Sequence, residues 1–324
     1  MGSSQIHHIV VVRLGMLRRG ALVALAVVFT ACSSETSAPD ATAEVADTTC
    51  PTRRNQVDVP YIESGDERQQ LDLYVPSDAG CTPAPLVVWV HGGGWRAGDK
   101  GNDMDAKVDL WTDAGWAVAS VNYRLTDIAV PVAERVVAPT HNEDLATALA
   151  WLVEEAPELG IDAARIAVLG HSAGAGIVAA VAVDPTYLGA HDLDPSAIAC
   201  SAPLDTEGFD VTSVIEGGGQ AAQLYQAVFG TAPARWTVLS PLSHVGEAPV
   251  PDLFLVTRGS PDRRSQVDAF AAAADEAGGE VTVVDLPSYS HADVNRQIGD
   301  PDDDELTPAL QAFLTGCLSN AGSA

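Results

Sequence analysis

The chain has 324 residues, 47% of them hydrophobic, enough to bury a full core in one large α/β domain or two smaller ones. No internal repeat and no second linker divides it, which favours one domain. With 17 Lys and Arg against 44 Asp and Glu, the formal net charge is −27, which argues against nucleic acid as a partner and describes a well-solvated surface that repels anionic polymers.

Residues 1–31 carry Arg13, Arg18 and Arg19 with no acidic residue, then an apolar run from Ala21 to Phe29. This is the pattern of a secretory signal, and at about ten residues the run is too short to cross a bilayer as a helix. It ends in Thr30-Ala31-Cys32, followed by a Ser-, Thr-, Ala- and acid-rich stretch that reads as a flexible tether over 32–49. Export makes disulfides possible, and Cys50, Cys81, Cys200 and Cys317 form an even set once Cys32 is set aside. Of the three pairings possible, Cys50 with Cys81 and Cys200 with Cys317 is the expected one, four free thiols being the alternative. None of these cysteines has the close spacing of a zinc or redox motif, so no metal is expected there.

From residue 50 to about 320 the chain reads as one catalytic domain. Val57 to Glu63 and Gln70 to Val75 alternate in polarity, as an antiparallel edge hairpin does. Leu86 to Val90 is a buried strand, a helix is expected around Asp103 to Ala114, and Ala117 to Tyr123 is the next strand. Glu143 to Ala156 repeats Leu145, Leu149 and Leu152 or Val153 at helical spacing and closes at Gly160. Ile166 to Leu169 is a strand, Ala175 to Val183 a helix, and Ile198 to Ala202, Asp252 to Val256 and Val281 to Val284 are further strands, with a helix over Ser265 to Ala277. The stretch from Thr206 to Thr237 is Gly-rich and reads as irregular. Alternating strands and helices predict a mostly parallel central sheet of about eight strands, helices on both faces, with catalytic groups in the loops at the carboxyl ends of the strands.

Two motifs stand at such ends. Gly170-His171-Ser172-Ala173-Gly174 lies between a strand and a helix, the setting in which a G-x-S-x-G turn lifts its serine clear of the sheet. His91-Gly92-Gly93-Gly94-Trp95 follows the strand ending at Val90, and consecutive glycines let backbone N–H groups approach a substrate oxygen. A serine nucleophile needs a base and an acid to orient that base. His291 follows the last strand and is the expected base; Asp262 follows the strand ending near Val256 and is the expected acid. Asp268 falls inside a helix and Asp285 belongs to a strand, so both rank below Asp262. His171 is expected to pack at the turn, and His191 and His244 lie in loops. The acidic run from Asp300 to Glu305 lacks the spacing and glycine of a calcium-binding loop.

On these residues, together with Leu71 to Pro76, His91 to Lys100, Ser120 to Leu125 and Leu159 to Asp162, the chain resembles an α/β-hydrolase of the carboxylesterase type. It is similar to bacterial feruloyl-esterase-like proteins and, more distantly, to hormone-sensitive-lipase-like esterases. The resemblance implies an α/β-hydrolase fold and an oxyanion hole of backbone N–H groups from Gly93, Gly94 and Ala173, with Asp144 in a structural role. Val28 to Ser34 resembles a bacterial lipobox, which implies lipidation of Cys32 and a membrane-anchored envelope protein, or otherwise a secreted one. The chain departs from the hormone-sensitive-lipase-like group in leaving no room for an N-terminal helical cap. Any cover would come from 206–237, where Tyr225, Phe229 and Trp236 line a pocket or join the core. The expected activity is hydrolysis of a small-molecule or polysaccharide-linked ester through a Ser-His-Asp triad, without cofactor. An amidase, arylformamidase or exopeptidase of the same fold, or a binding module without turnover, is the alternative.

Overall fold

A computed structural model describes residues 55–63, 65–76 and 82–320. The signal-like segment, Cys32, the tether, Cys50 and Cys81 lie outside the described residues. The first half of the domain runs β1 (Gln56–Pro60), β2 (Gln70–Tyr74), β3 (Ala84–Val90), α1 (Asp105–Asp113), β4 (Ala117–Val121), α2 (Thr140–Glu154), α3 (Ala156–Leu159), β5 (Ile161–His171) and α4 (Ala173–Val183). It continues with α5 (Pro185–Gly189), β6 (Cys200–Leu204), α6 (Val211–Glu216), α7 (Gly219–Phe229) and α8 (Pro233–Val238). It closes with β7 (Asp252–Thr257), α9 (Pro261–Glu276), β8 (Val281–Asp285), α10 (His291–Arg296) and α11 (Leu306–Asn320).

The eight strands form one sheet in the order β1-β2-β4-β3-β5-β6-β7-β8. β1 pairs antiparallel with β2, and β2 antiparallel with β4; every later pairing is parallel. Only β1 of the predicted hairpin is therefore an edge, since β2 is covered on its second side. β3 is buried at all seven positions, as a central parallel strand must be when helices cover both faces. Its side chains divide by parity: Leu86, Val88 and Val90 join Leu145 of α2 and Ile177 of α4, whereas Val87 and Trp89 join Trp111 of α1 and Leu310 and Leu314 of α11. α4 has no polar side chain and is buried on almost every side, the fate of a helix apolar all round. The far end of α4 packs with α9 and with Leu253 and Leu255 of β7.

The expected disulfide between Cys200 and Cys317 is present and ties β6 to α11. The stretch over 206–237 departs from expectation, being mostly helical. Its glycines bound helices: Gly218 and Gly230, both at positive φ, cap the two ends of α7. Tyr225, Phe229 and Trp236 are buried there, and Trp95 packs edge-on against Tyr225 and Phe229, so these three rings belong to the core. Asp303 accepts hydrogen bonds from the backbone N–H groups of Leu306 and Thr307, so this part of the acidic run caps α11. Among the described residues no helix is long and apolar enough to cross a membrane.

Candidate active site

β5 delivers Ser172 to the start of α4, and the turn has no spare room. A Cβ on Gly170 would lie 2.6 Å from the backbone carbon of Gly174, and one on Gly174 would lie 2.2 Å from the Val90 carbonyl oxygen. Only glycine fits at either position. Ser172 itself takes φ 58° and ψ −116°, backbone strain of about 1–3 kcal/mol that the surrounding packing must hold. Its N–H donates to the Leu204 carbonyl at 3.0 Å, locking the elbow to the end of β6.

With the serine raised, His291 meets it from the first turn of α10. His291 Nε2 lies 2.8 Å from Ser172 Oγ, and its Nδ1 lies 2.6 Å from Asp205 Oδ2. Ser290 caps α10 through a capping box with Asp293, which fixes where the imidazole emerges. The side chain of His291 is 45% exposed while that of Asp205 is 3% exposed, so the acid is buried behind a base that faces solvent. Burial alone would raise the Asp205 carboxyl. The hydrogen bond from His291 and the positive charge of Arg263 outweigh it and hold the carboxyl at about 2. Arg263 Nη2 donates to Asp205 Oδ1 at 2.7 Å, and Arg258 Nε donates to Oδ2.

Asp262 is not this acid. It sits exposed in the first turn of α9, which begins at Pro261 under a Ser260 cap. Asp205 takes the place because β6 neighbours the elbow strand β5, whereas β7 pairs with β6 only at Cys200 and Ser201. The two strands part towards their carboxyl ends, and Asp205, the residue after β6, stands in the opening with Arg258, the residue after β7, reaching across. The signal that could have found it was an aspartate placed just after an apolar strand and next to Thr206, whose hydroxyl accepts the Gly208 N–H in a turn. The order serine, aspartate, histidine along the chain is kept.

The glycine loop lies opposite. Gly93 and Gly94 have φ of 116° and 62°, and a Cβ on Gly93 would fall 2.1 Å from the Ala97 carbonyl oxygen. The loop is held by Arg96 and Ala97 N–H groups donating to the Gly93 carbonyl, by Tyr123 O–H donating to the His91 carbonyl, and by His91 stacked on Tyr123. A Cβ on Gly92 would lie 3.1 Å from Ser172 Cβ, so loop and elbow touch. Among the described residues no acceptor takes the backbone N–H of Gly93, Gly94 or Ala173. The glycine loop that touches the elbow and the residue after Ser172 thus offer three free donors.

His171 has a use beyond packing. Its Nε2–H donates to the His291 carbonyl at 2.8 Å and the two rings lie 4.6 Å apart. Burial and the neighbouring His291 push the His171 imidazole down to about 4, so it is neutral at pH 7 and steadies His291 without competing for its proton. Asp144 is structural, as expected: it is buried and binds Arg124 bidentately and Gln69 Nε2, clamping α2 to the loop after β4. His191 contacts Thr147, and His244 contacts Glu247 and the Val238 carbonyl; neither touches Ser172. Among the described residues two groups, His171 with Asp205 and His291, and Asp184 with His244 and Glu247, have ligand atoms close enough for a metal. In the first, both nitrogens of His291 and the Nε2 of His171 are already engaged.

Comparison with known proteins gives concordant results. The BD-FAE family model matches residues 71–268. Esterase LipQ of Mycobacterium tuberculosis is 28% identical over 72% of this chain, which spans 56% of that protein. Ethyl acetate hydrolase of Pseudomonas putida is 28% identical over 67% of this chain and 68% of its own length. Among solved structures, esterase B from Lactobacillus rhamnosis superposes with a TM-score of 0.67 at 20% identity, covering 84% of this chain and 87% of that one. The eight-stranded sheet and these likenesses together make this an α/β-hydrolase fold.

Proposed function

The chain belongs to the BD-FAE family, and on that premise we propose that it hydrolyses carboxylic esters through an acyl-enzyme on Ser172. The observation that carries the reading is the unbroken hydrogen-bond line from Ser172 Oγ through His291 to the buried Asp205. Ser172 Oγ attacks the ester carbonyl while its proton passes to His291 Nε2. Asp205 accepts the Nδ1–H of the imidazole, fixes its tautomer and stabilises the imidazolium. The carbonyl oxygen, now an alkoxide, faces the free N–H groups of Gly93, Gly94 and Ala173, each such donor contributing about 3 kcal/mol to the transition state. His291 returns the proton to the departing alcohol. Water, deprotonated by His291, then attacks the acyl carbon and frees Ser172.

Hydrolysis of p-nitrophenyl esters from acetate to decanoate, beside the matching anilides, tests the reading. Ser172→Ala is expected to lower kcat by about a million-fold, as when one member of a cooperating triad is lost. Undiminished activity in that variant, or a folded wild-type protein inert to esters and anilides alike, would refute it. The relative named for ethyl acetate favours short esters as the substrates.

For location, the support is in the sequence alone: the basic, apolar and small-residue order of 1–31 ending at Cys32. In this reading Cys32 is lipidated and the domain is held at the envelope membrane by its tether. Cys32→Ser is expected to move the protein from the membrane fraction to the soluble one; a wild-type protein found soluble and without lipid label would exclude the anchor.

A further inference from the structure

Beside the glycine loop lies a cavity of about 290 Å³ whose lining includes His91, Gly92, Gly93, Asp103, His171 and Asn295. It adjoins the reaction centre on two sides. Gly92 and Gly93 belong to the loop that touches Ser172, and the His171 ring lies against His291.

The protonation of its lining is fixed by neighbours. His91 Nδ1 is 2.7 Å from the Gly92 carbonyl oxygen, which only accepts, so Nδ1 carries the proton and Nε2 carries a lone pair. His91 is 4% exposed and burial pushes its imidazole down, which keeps it neutral; its Nε2 has no partner. By the same logic His171 donates through Nε2–H to the His291 carbonyl, which leaves Nδ1 as an acceptor. Asn295 turns its amide N–H to the Asp103 carboxylate at 2.9 Å, so its Oδ1 is the free end, and that oxygen too is buried without a partner. Asp103 adds carboxylate oxygens. His91 Nε2 and Asn295 Oδ1 are therefore buried acceptors in want of a donor, and an unmet buried acceptor costs about 1–3 kcal/mol.

A cation would supply donors, but one is already in place. Lys107, 1% exposed, donates to the carbonyls of Asp103 and Asn295 and lies 5.0 Å above the Trp89 ring. Its charge disfavours a second cation and leaves a neutral O–H as the fitting group. We propose that this cavity is a subsite for a hydroxyl group of the ester substrate, which donates its one proton to Asn295 Oδ1 or to His91 Nε2. The assignment rests on the ester-hydrolase reading above and names a substrate class within it, hydroxylated esters.

The test compares esters that differ only by CH₃ against OH, on each side of the scissile bond. Propyl acetate is matched with 2-hydroxyethyl acetate, and methyl butyrate with methyl 3-hydroxypropanoate; methyl 3-aminopropanoate and 2-(dimethylamino)ethyl acetate present a cation instead. The wild-type enzyme is expected to prefer the hydroxylated member of one pair by at least about tenfold in kcat/KM, since a site with unmet polar groups rejects an analogue lacking the hydroxyl. Asn295→Leu is expected to bring that ratio close to one. Asp103→Asn keeps the Asn295 hydrogen bond and suits the positive φ of this position, yet turns an acceptor into a donor, and is also expected to reduce the ratio. Turnover with no hydroxyl preference in either pair, an unchanged ratio in both variants, or a preference for the ammonium esters overturns the proposal while leaving the esterase reading intact. Absence of any Ser172-dependent turnover fails the esterase reading itself, and the subsite with it.

Discussion

The two sides of the active site are held in place by different forces. On the elbow side, Gly92, Gly170 and Gly174 allow backbone to lie against backbone at distances a single methyl group would abolish. On the acid side, Asp205 is buried among Arg258, Arg263 and His291, and charge holds it there. Steric exclusion is short-ranged and indifferent to pH, whereas an ion-pair network answers to both pH and the loss of one partner. The nucleophile is thus positioned by close packing and the proton relay by electrostatics.

The comparison is broken most severely at its acid end. Asp205→Asn removes the charge facing His291 and lets the amide favour the wrong imidazole tautomer, for an expected fall in kcat of about 10⁴-fold, or about 5.5 kcal/mol in the barrier. Asp262→Asn, in the exposed first turn of α9, is expected to leave kcat within about twofold. Steady-state kinetics on one p-nitrophenyl ester decide between them. A collapse with Asp262→Asn and none with Asp205→Asn would reverse the assignment.

The steric side is tested by two glycines of one helix. Gly174→Ala would set a methyl 2.2 Å from the Val90 carbonyl oxygen, and an expected loss of about 3 kcal/mol in urea unfolding follows, because backbone cannot yield as a side chain can. Gly176→Ala meets nothing nearer than Trp95 at 3.5 Å and replaces a glycine within α4, so a gain of up to about 1 kcal/mol is expected. Equal effects at the two positions would mean that the elbow is not closely packed.

Much of this was legible in the sequence because it is local. The apolar run of β3, the turn around Ser172 and the glycine loop are each written within about ten consecutive residues, and the structure brings Ser172, His291 and the loop together as the strand order implied. The acid was not legible in the same way. Asp205 and Asp262 both follow a predicted strand, and choosing between them requires knowing that β6 and β7 part beyond Ser201. One local sign did bear on it: Ser260-Pro261 ahead of Asp262 is a helix cap and first-turn proline, which commits that aspartate to α9. The arginines that grip Asp205 could not be read at all, since Arg258, Arg263 and Asp205 are brought together only by the packing of β6, β7 and α9. The glycines of 217–230 misled for the opposite reason, being helix ends in a sequence too rich in glycine to look helical.

The effect that separates the two forces is a dependence on pH. A carboxyl held at about 2 in the fold, against 3.8 ordinarily, contributes stability in its ionised form; that contribution is complete above about pH 4 and is lost as pH falls towards 2. Its size is about 2 kcal/mol, shared among His291 and the arginines. Arg263→Gln takes away part of the positive charge, so the Asp205 carboxyl moves back up and the stability increment shrinks. Urea unfolding should therefore find Arg263→Gln less stable than wild type by about 1–2 kcal/mol at pH 7, with the gap narrowing by pH 3 because the Asp205 carboxyl, raised in the variant, protonates there before it does in the wild-type protein. The deficit of Gly174→Ala, being a collision between atoms that do not titrate, should be the same at both pH values. If the Arg263→Gln gap were as constant as the Gly174→Ala gap, Arg263 would be acting through the packing of α9 on Asp205, and the acid side would be steric after all.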